Sequence, residues 1–204
     1  MYRGERFNSL SHLTAAVLSG AGLVVLIILA ALRGDPWRIV SFSIYGATLF
    51  LLYLSSTLYH SLRGHAKNVF RRFDHLAIYL LIAGSYTPFT LVSLRGDWGW
   101  SLFGVVWGLA VLGIIQEFIE QRTRLVSILI YLFMGWLALI AIQPLTHALP
   151  PGGLAWLVVG GIFYTVGTIF FALDNIWRYA HEVWHVLVIA GSASHYFAIV
   201  RYVA

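Results

Sequence analysis

The chain has 204 residues, no cysteine and a formal net charge of +5; 60% of its residues are hydrophobic and only 10% are charged. With a mean hydropathy of +0.82, against roughly 25% charged residues in ordinary globular chains, this weighs against a soluble domain. The missing cysteines exclude disulfides and thiolate metal ligands, and the positive excess, gathered in short links, reads as a topology signal rather than a nucleic-acid footprint.

A helical membrane span needs about 20 apolar residues, and the sequence offers seven such runs in order. The first covers residues 12–32, behind a polar lead with Arg3, Glu5 and Arg6, and Arg33-Gly34-Asp35-Pro36 turns out of it. The run is long and no small-residue cleavage site follows, so it reads as a span and not a cleaved signal peptide. The second, 37–62, ends in a basic loop with Arg63, Lys67, Arg71 and Arg72. The third, 74–94, contains Gly84 and Pro88, which membrane helices tolerate when neighbours satisfy the freed backbone groups; a kink near Pro88 is expected. The remaining spans are 98–118, 125–147, 154–173 and 181–203. The expected fold is an all-α membrane protein, a single seven-helix domain over residues 1–204.

Orientation follows from Lys and Arg, which accumulate on the cytoplasmic side. With the N-terminus inside, the inner segments hold nine of them (Arg3, Arg6, Arg63, Lys67, Arg71, Arg72, Arg122, Arg124, Arg178) and the outer segments four (Arg33, Arg38, Arg95, Arg201). The expectation is therefore a cytoplasmic N-terminus and an outside C-terminus.

That topology brings polar residues to one depth. The second span ends on Ser56-x-x-x-His60, the third begins at Asp74, and the seventh begins with His181-x-x-x-His185. Residues four apart share a helix face, and ionisable groups in membrane spans are costly and mark function. A histidine near a headgroup region is ordinarily an interfacial polar residue, but three converging with Asp74 suggest a metal site. His60, His181 and His185 are the candidate ligands. Three neutral imidazoles without thiolate suit zinc, although iron, nickel or copper can use them. Three protein ligands leave a fourth position open, as in catalytic zinc sites. Asp74 is then the candidate general base and Ser56 a candidate oxyanion or ligand-orienting group.

These residues resemble the hemolysin III family, related to the progestin and adipoQ receptors and to the alkaline ceramidases. The matching pieces are Glu5-x-x-Asn8 with Ser11-His12, Ser56-x-x-x-His60, Asp74-His75-x-x-Ile78-Tyr79 running into Leu81 to Phe89, and His181-x-x-x-His185 with His195. The resemblance implies seven helices with the N-terminus inside and a zinc ion on the positions of His60, His181 and His185. It implies that the Asp74 position contacts the metal through water, with Ser56 beside it. The short tails are similar to those of the bacterial branch, which implies residence in the bacterial plasma membrane.

Other polar residues carry plainer expectations. His195 lies about 15 Å along the helix axis from His185, too far to share an ion, and is expected to be hydrogen-bonded or to line the same cavity deeper. His75 reads as structural, and Glu117 as reaching the cluster or solvated near Arg122 and Arg124. Asp174, Arg178 and Glu182 have the spacing of surface pairs, and His147 lies at the opposite membrane face.

Three functions compete. The first is a zinc-dependent hydrolase of amide or ester bonds in a membrane lipid; the second is a signalling or homeostasis protein with a structural zinc. The third, a cytolytic pore, is weakened because no span carries a polar stripe along its whole length.

Overall fold

A computed structural model describes residues 3–119 and 124–204. It contains seven helices long and apolar enough to cross a membrane, and no strand among the described residues. They are α1 (Arg6–Arg33), α2 (Pro36–Ser61), α3 (Gly64–Ser93), α4 (Asp97–Phe118), α5 (Arg124–Ala148), α6 (Pro151–Ala172) and α7 (Ala180–Tyr202). A short 3-10 turn, Arg3–Glu5, precedes α1.

Turn chemistry sets the tight links. Gly34 takes the left-handed conformation (φ 66°) after α1, and its N–H bonds to Ala31 O, the glycine-at-the-end pattern of helix termination. Asp35 then caps α2 by accepting from the Trp37 N–H, with Pro36 as the first helical residue, where its missing donor costs nothing.

The basic stretch expected as a loop is instead the first turns of α3. Gly64 has φ +60° and lets the chain reverse within Leu62–Gly64, so Lys67, Arg71 and Arg72 are helical. α3 is consequently ten residues longer at its start than its apolar run.

Two helices are irregular, each for a visible reason. Pro88 lacks the N–H that continues a helix, and Phe89–Ser93 form a π-helical turn with Leu94 N–H bonded to Phe89 O at 2.8 Å. α5 tightens to a 3-10 segment at Leu137–Ala141. The Tyr86 hydroxyl lies 2.9 Å from Met134 O and 2.8 Å from Gly135 O and accepts from Ala138 N–H. A residue two positions before the proline thus satisfies backbone groups freed by the break in α5.

α1 packs along α2, α2 along α3, and α6 along α7. Between α2 and α7 the joins are mostly side chains: Tyr45 and Tyr53 reach from α2 to the carbonyls of Ser192 and Val188, both at 3.5 Å. That spacing leaves a cavity of about 590 Å3, open at the end where Arg71 and Arg178 line it and walled by residues of α1, α2, α3, α5, α6 and α7.

Candidate metal centre

His60 ends α2, and His181 and His185 occupy the first turns of α7. His60 and His185 are 2% exposed, while His181 is half-buried on the cavity. The Nε2 atoms of His60 and His181 are 3.4 Å apart, and those of His181 and His185 3.2 Å. All three residues offer a ligand nitrogen within 4.8 Å of the others. Nitrogens bound to one tetrahedral ion at about 2.0–2.1 Å are separated by about 3.3 Å. The two edges through His181 match this value and the His60–His185 edge lies within 4.8 Å, so the three side chains could hold a single metal ion.

The other ring nitrogens show how two of these imidazoles are aimed. His60 Nδ1 lies 2.5 Å from Glu5 Oε2, and His181 Nδ1 lies 3.0 Å from Asp174 Oδ2. A carboxylate accepting the Nδ1 proton leaves the Nε2 lone pair free and fixes the ring, the usual outer partner of a metal-binding histidine. Glu5 is itself held by Lys67 Nζ at 2.7 Å. Burial raises the Glu5 pKa, but the hydrogen bonds from His60 and Lys67 overcome it and hold the carboxyl at about 2. Asp174 also pairs with Arg124, which in turn donates to Phe171 O at 3.2 Å.

Asp174 is therefore no surface partner of Arg178. Leu173–Tyr179 form turns rather than helix, so the four-residue spacing does not align these side chains, and Asp174 turns inward to His181 and Arg124. Arg178 lies over the Tyr179 ring.

Ser56 and Asp74 both line the cavity beside the histidines, with the serine side chain against the carboxylate. Leu52, Ile78, Ile82 and Val188 give the cavity an apolar interior, and His195 lies along its wall away from the triad. His195 Nε2 donates to Leu157 O at 3.2 Å, so it is both hydrogen-bonded and part of the cavity wall. His75 lines the cavity too, and its carbonyl accepts from Tyr131. Glu117 accepts from Ser127 at 3.0 Å and joins α4 to α5 rather than reaching the triad; Arg122, its other expected neighbour, lies outside the described residues. His147 is exposed near the end of α5.

Sequence reasoning gave Glu5 and His12 only as pieces of the resemblance, Lys67 and Arg124 only as link charges and Asp174 as a surface pair, and so missed their contacts at the site, among them the stacking of His12 on His185. The available signal was the spacing of Glu5, Asn8 and His12, which places all three on one face of the first helix.

Fold and site define a seven-helix integral membrane protein with a three-histidine centre able to hold a metal. The profile of the family described as Haemolysin-III related matches residues 1–196. The chain is 45% identical over 202 residues to Hemolysin-3 of Bacillus cereus, covering 98% of this chain and 91% of that protein. It is 31% identical over 196 residues to the human monocyte to macrophage differentiation factor, covering 93% and 81%. A progestin and adipoQ receptor-like protein 1 of Caenorhabditis elegans is 25% identical over 195 residues, covering 78% and 43%. The chain belongs to the haemolysin III family and is an integral protein of the bacterial plasma membrane.

Proposed function

We propose that this protein is a zinc-dependent hydrolase acting on an amide or ester bond of a membrane lipid. The observation that carries the reading is the triad opening on a cavity of about 590 Å3 whose polar end also holds Asp74 and Ser56. His60, His181 and His185 would hold the zinc ion, which would supply Lewis acidity and lower the pKa of a water. Asp74, lacking any place in the ligand set, is positioned to hold a water and take its proton. The Ser56 hydroxyl, against Asp74, orients that carboxylate or donates to a developing oxyanion. The apolar interior beyond them accepts an acyl chain and keeps bulk water out.

The excess of Lys and Arg at the triad end supports placing it, and the N-terminus, on the cytoplasmic side. A second reading has its own observation. The ligands come from α2 and α7, which otherwise meet through Tyr45 and Tyr53 and, at the opposite end, through Arg38 and the Val203 carbonyl, so a metal at the triad end also acts as a clasp. In that reading the zinc is structural, in a signalling or homeostasis protein. The name Hemolysin-3 belongs to the Bacillus cereus relative; a cytolytic pore is the weaker alternative because polar side chains gather at one end of the bundle.

The test is elemental analysis of purified protein and its His60→Ala variant, with mass spectrometry of bacterial lipids incubated in nanodiscs. The hydrolase expectation is about one zinc per chain, lipid cleavage that Asp74→Asn abolishes while metal is retained, and neither in His60→Ala. Metal binding without any lipid consumed leaves the clasp; cleavage unchanged in His60→Ala sinks the hydrolase.

A further inference from the structure

His12 on α1 is 3% exposed, and both its ring nitrogens are buried without a hydrogen-bond partner. A buried polar group left in that state is costly. It is not a fourth ligand, because the nitrogens that converge belong to His60, His181 and His185. Its ring instead lies flat on His185, with centroids 3.7 Å apart and planes 15° from parallel. Tyr53 braces it edge-on from α2, at 5.0 Å and 82°.

His185 needs such a neighbour more than the other two ligands do. Glu5 fixes the His60 ring and Asp174 the His181 ring, but His185 Nδ1 has no hydrogen-bond partner. The backbone of Asn8 lies near the ring, but no hydrogen bond to Nδ1 forms with it. An imidazole free to rotate about its χ2 torsion does not keep Nε2 aimed at one point, since terminal torsions to flat rings are broad. A parallel ring at van der Waals distance removes that freedom.

We infer that His12 is a positioning residue of the metal centre, whose flat ring holds the His185 imidazole in the plane that directs Nε2 toward His60 and His181. Stacked rings favour offset parallel contact, and ligation draws electron density from His185, which strengthens its attraction to the face of a neutral ring. α1 and the turn that leads into it thereby serve two of the three ligands: Glu5 acts on His60 and His12 on His185. This rests on the metal-binding reading but not on hydrolysis.

The test separates a flat ring from mere volume. Full-length protein in detergent, wild type and the variants His12→Phe and His12→Leu, is titrated with Zn2+ against a chromophoric chelator and with Co2+, whose visible spectrum reports tetrahedral coordination. The expected result is affinity within about threefold of wild type and an unchanged Co2+ spectrum for His12→Phe. His12→Leu, matched in bulk but without a ring, loses about tenfold or more, the scale of outer partners of metal ligands, and its spectrum weakens or shifts. Equal behaviour of the two variants, both retained or both impaired, overturns the inference, as does a greater loss in His12→Phe. If the wild type binds neither ion, the metal reading itself fails, an outcome distinct from these.

Discussion

The Glu5 carboxylate bonds to His60 Nδ1 at 2.5 Å through Oε2 while Oε1 receives Lys67 at 2.7 Å. One residue ahead of α1 therefore orients a ligand at the end of α2 and ties in the first turns of α3. Glu5→Gln removes the charge and keeps the shape. Zinc affinity is expected to fall about tenfold, as for other outer-partner changes, in a competition titration. Lys67→Met is expected to have a smaller effect, since it leaves the Glu5–His60 bond in place. Equal affinity of Glu5→Gln and wild type would show that His60 is aimed by its own packing.

Asp174 plays the matching part for His181 but also anchors Arg124. Asp174→Asn is expected to weaken zinc binding about tenfold and to lower the thermal midpoint. Arg124→Gln removes the ion pair, whose arginine is 39% exposed, and the contacts of the guanidinium with Phe171, but leaves the Asp174–His181 bond in place. Its expected cost is about 1 kcal/mol or less, with zinc affinity near wild type. The split between the two variants, read by titration and thermal unfolding, checks that Asp174 acts on the ligand directly.

Which parts of this centre were legible beforehand follows from the kind of contact. The triad was readable because two i, i+4 pairs and an odd number of spans fix depth and face together. Glu5 and His12 were visible as residues but not as partners, since their roles depend on how α1 leans against α2 and α7. Asp174 was misread because a helical spacing rule was applied to Leu173–Tyr179, which is turn. The start of α3 was missed for a related reason: apolar runs report what sits in the membrane, whereas from Gly64 to Phe73 the charges of Lys67, Arg71 and Arg72 break up any such run in a helical extension.

Packing at the middle of the bundle gives a test independent of metal. A Cβ on Gly84 would overlap the Thr48 side chain, lying 3.0 Å from Thr48 Cβ and closer still to its hydroxyl. Gly84→Ala is expected to push α3 from α2 and destabilise by about 1–3 kcal/mol, the usual range for overpacking. Adding Thr48→Ala removes the hydroxyl and methyl and is expected to restore part of that loss. Thermal unfolding of the single and double variants reads the coupling, and an additive double variant would place the strain elsewhere.

Metal removal tests the clasp between α2 and α7. The two helices are joined by long tyrosine hydrogen bonds at 3.5 Å and, at the far end, by Arg38 donating to the Val203 carbonyl at 3.1 Å, while at the polar end His60 meets His181 at 3.4 Å. An ion shared by those imidazoles stabilises the folded state by an amount that grows with the logarithm of its free concentration over its dissociation constant, about 2.7 kcal/mol at a hundredfold excess. Chelation is therefore expected to lower the thermal midpoint of the wild type. Zinc added back should restore it, while His60→Ala should respond to neither treatment. His195→Phe, at the far part of the cavity, should respond to both as the wild type does, because its nitrogen contacts Leu157 O and no ligand. A midpoint unmoved by verified removal of the metal would mean that the tyrosines, Arg38 on Val203 O and the packing of α1 and α6 hold α7 in place without it.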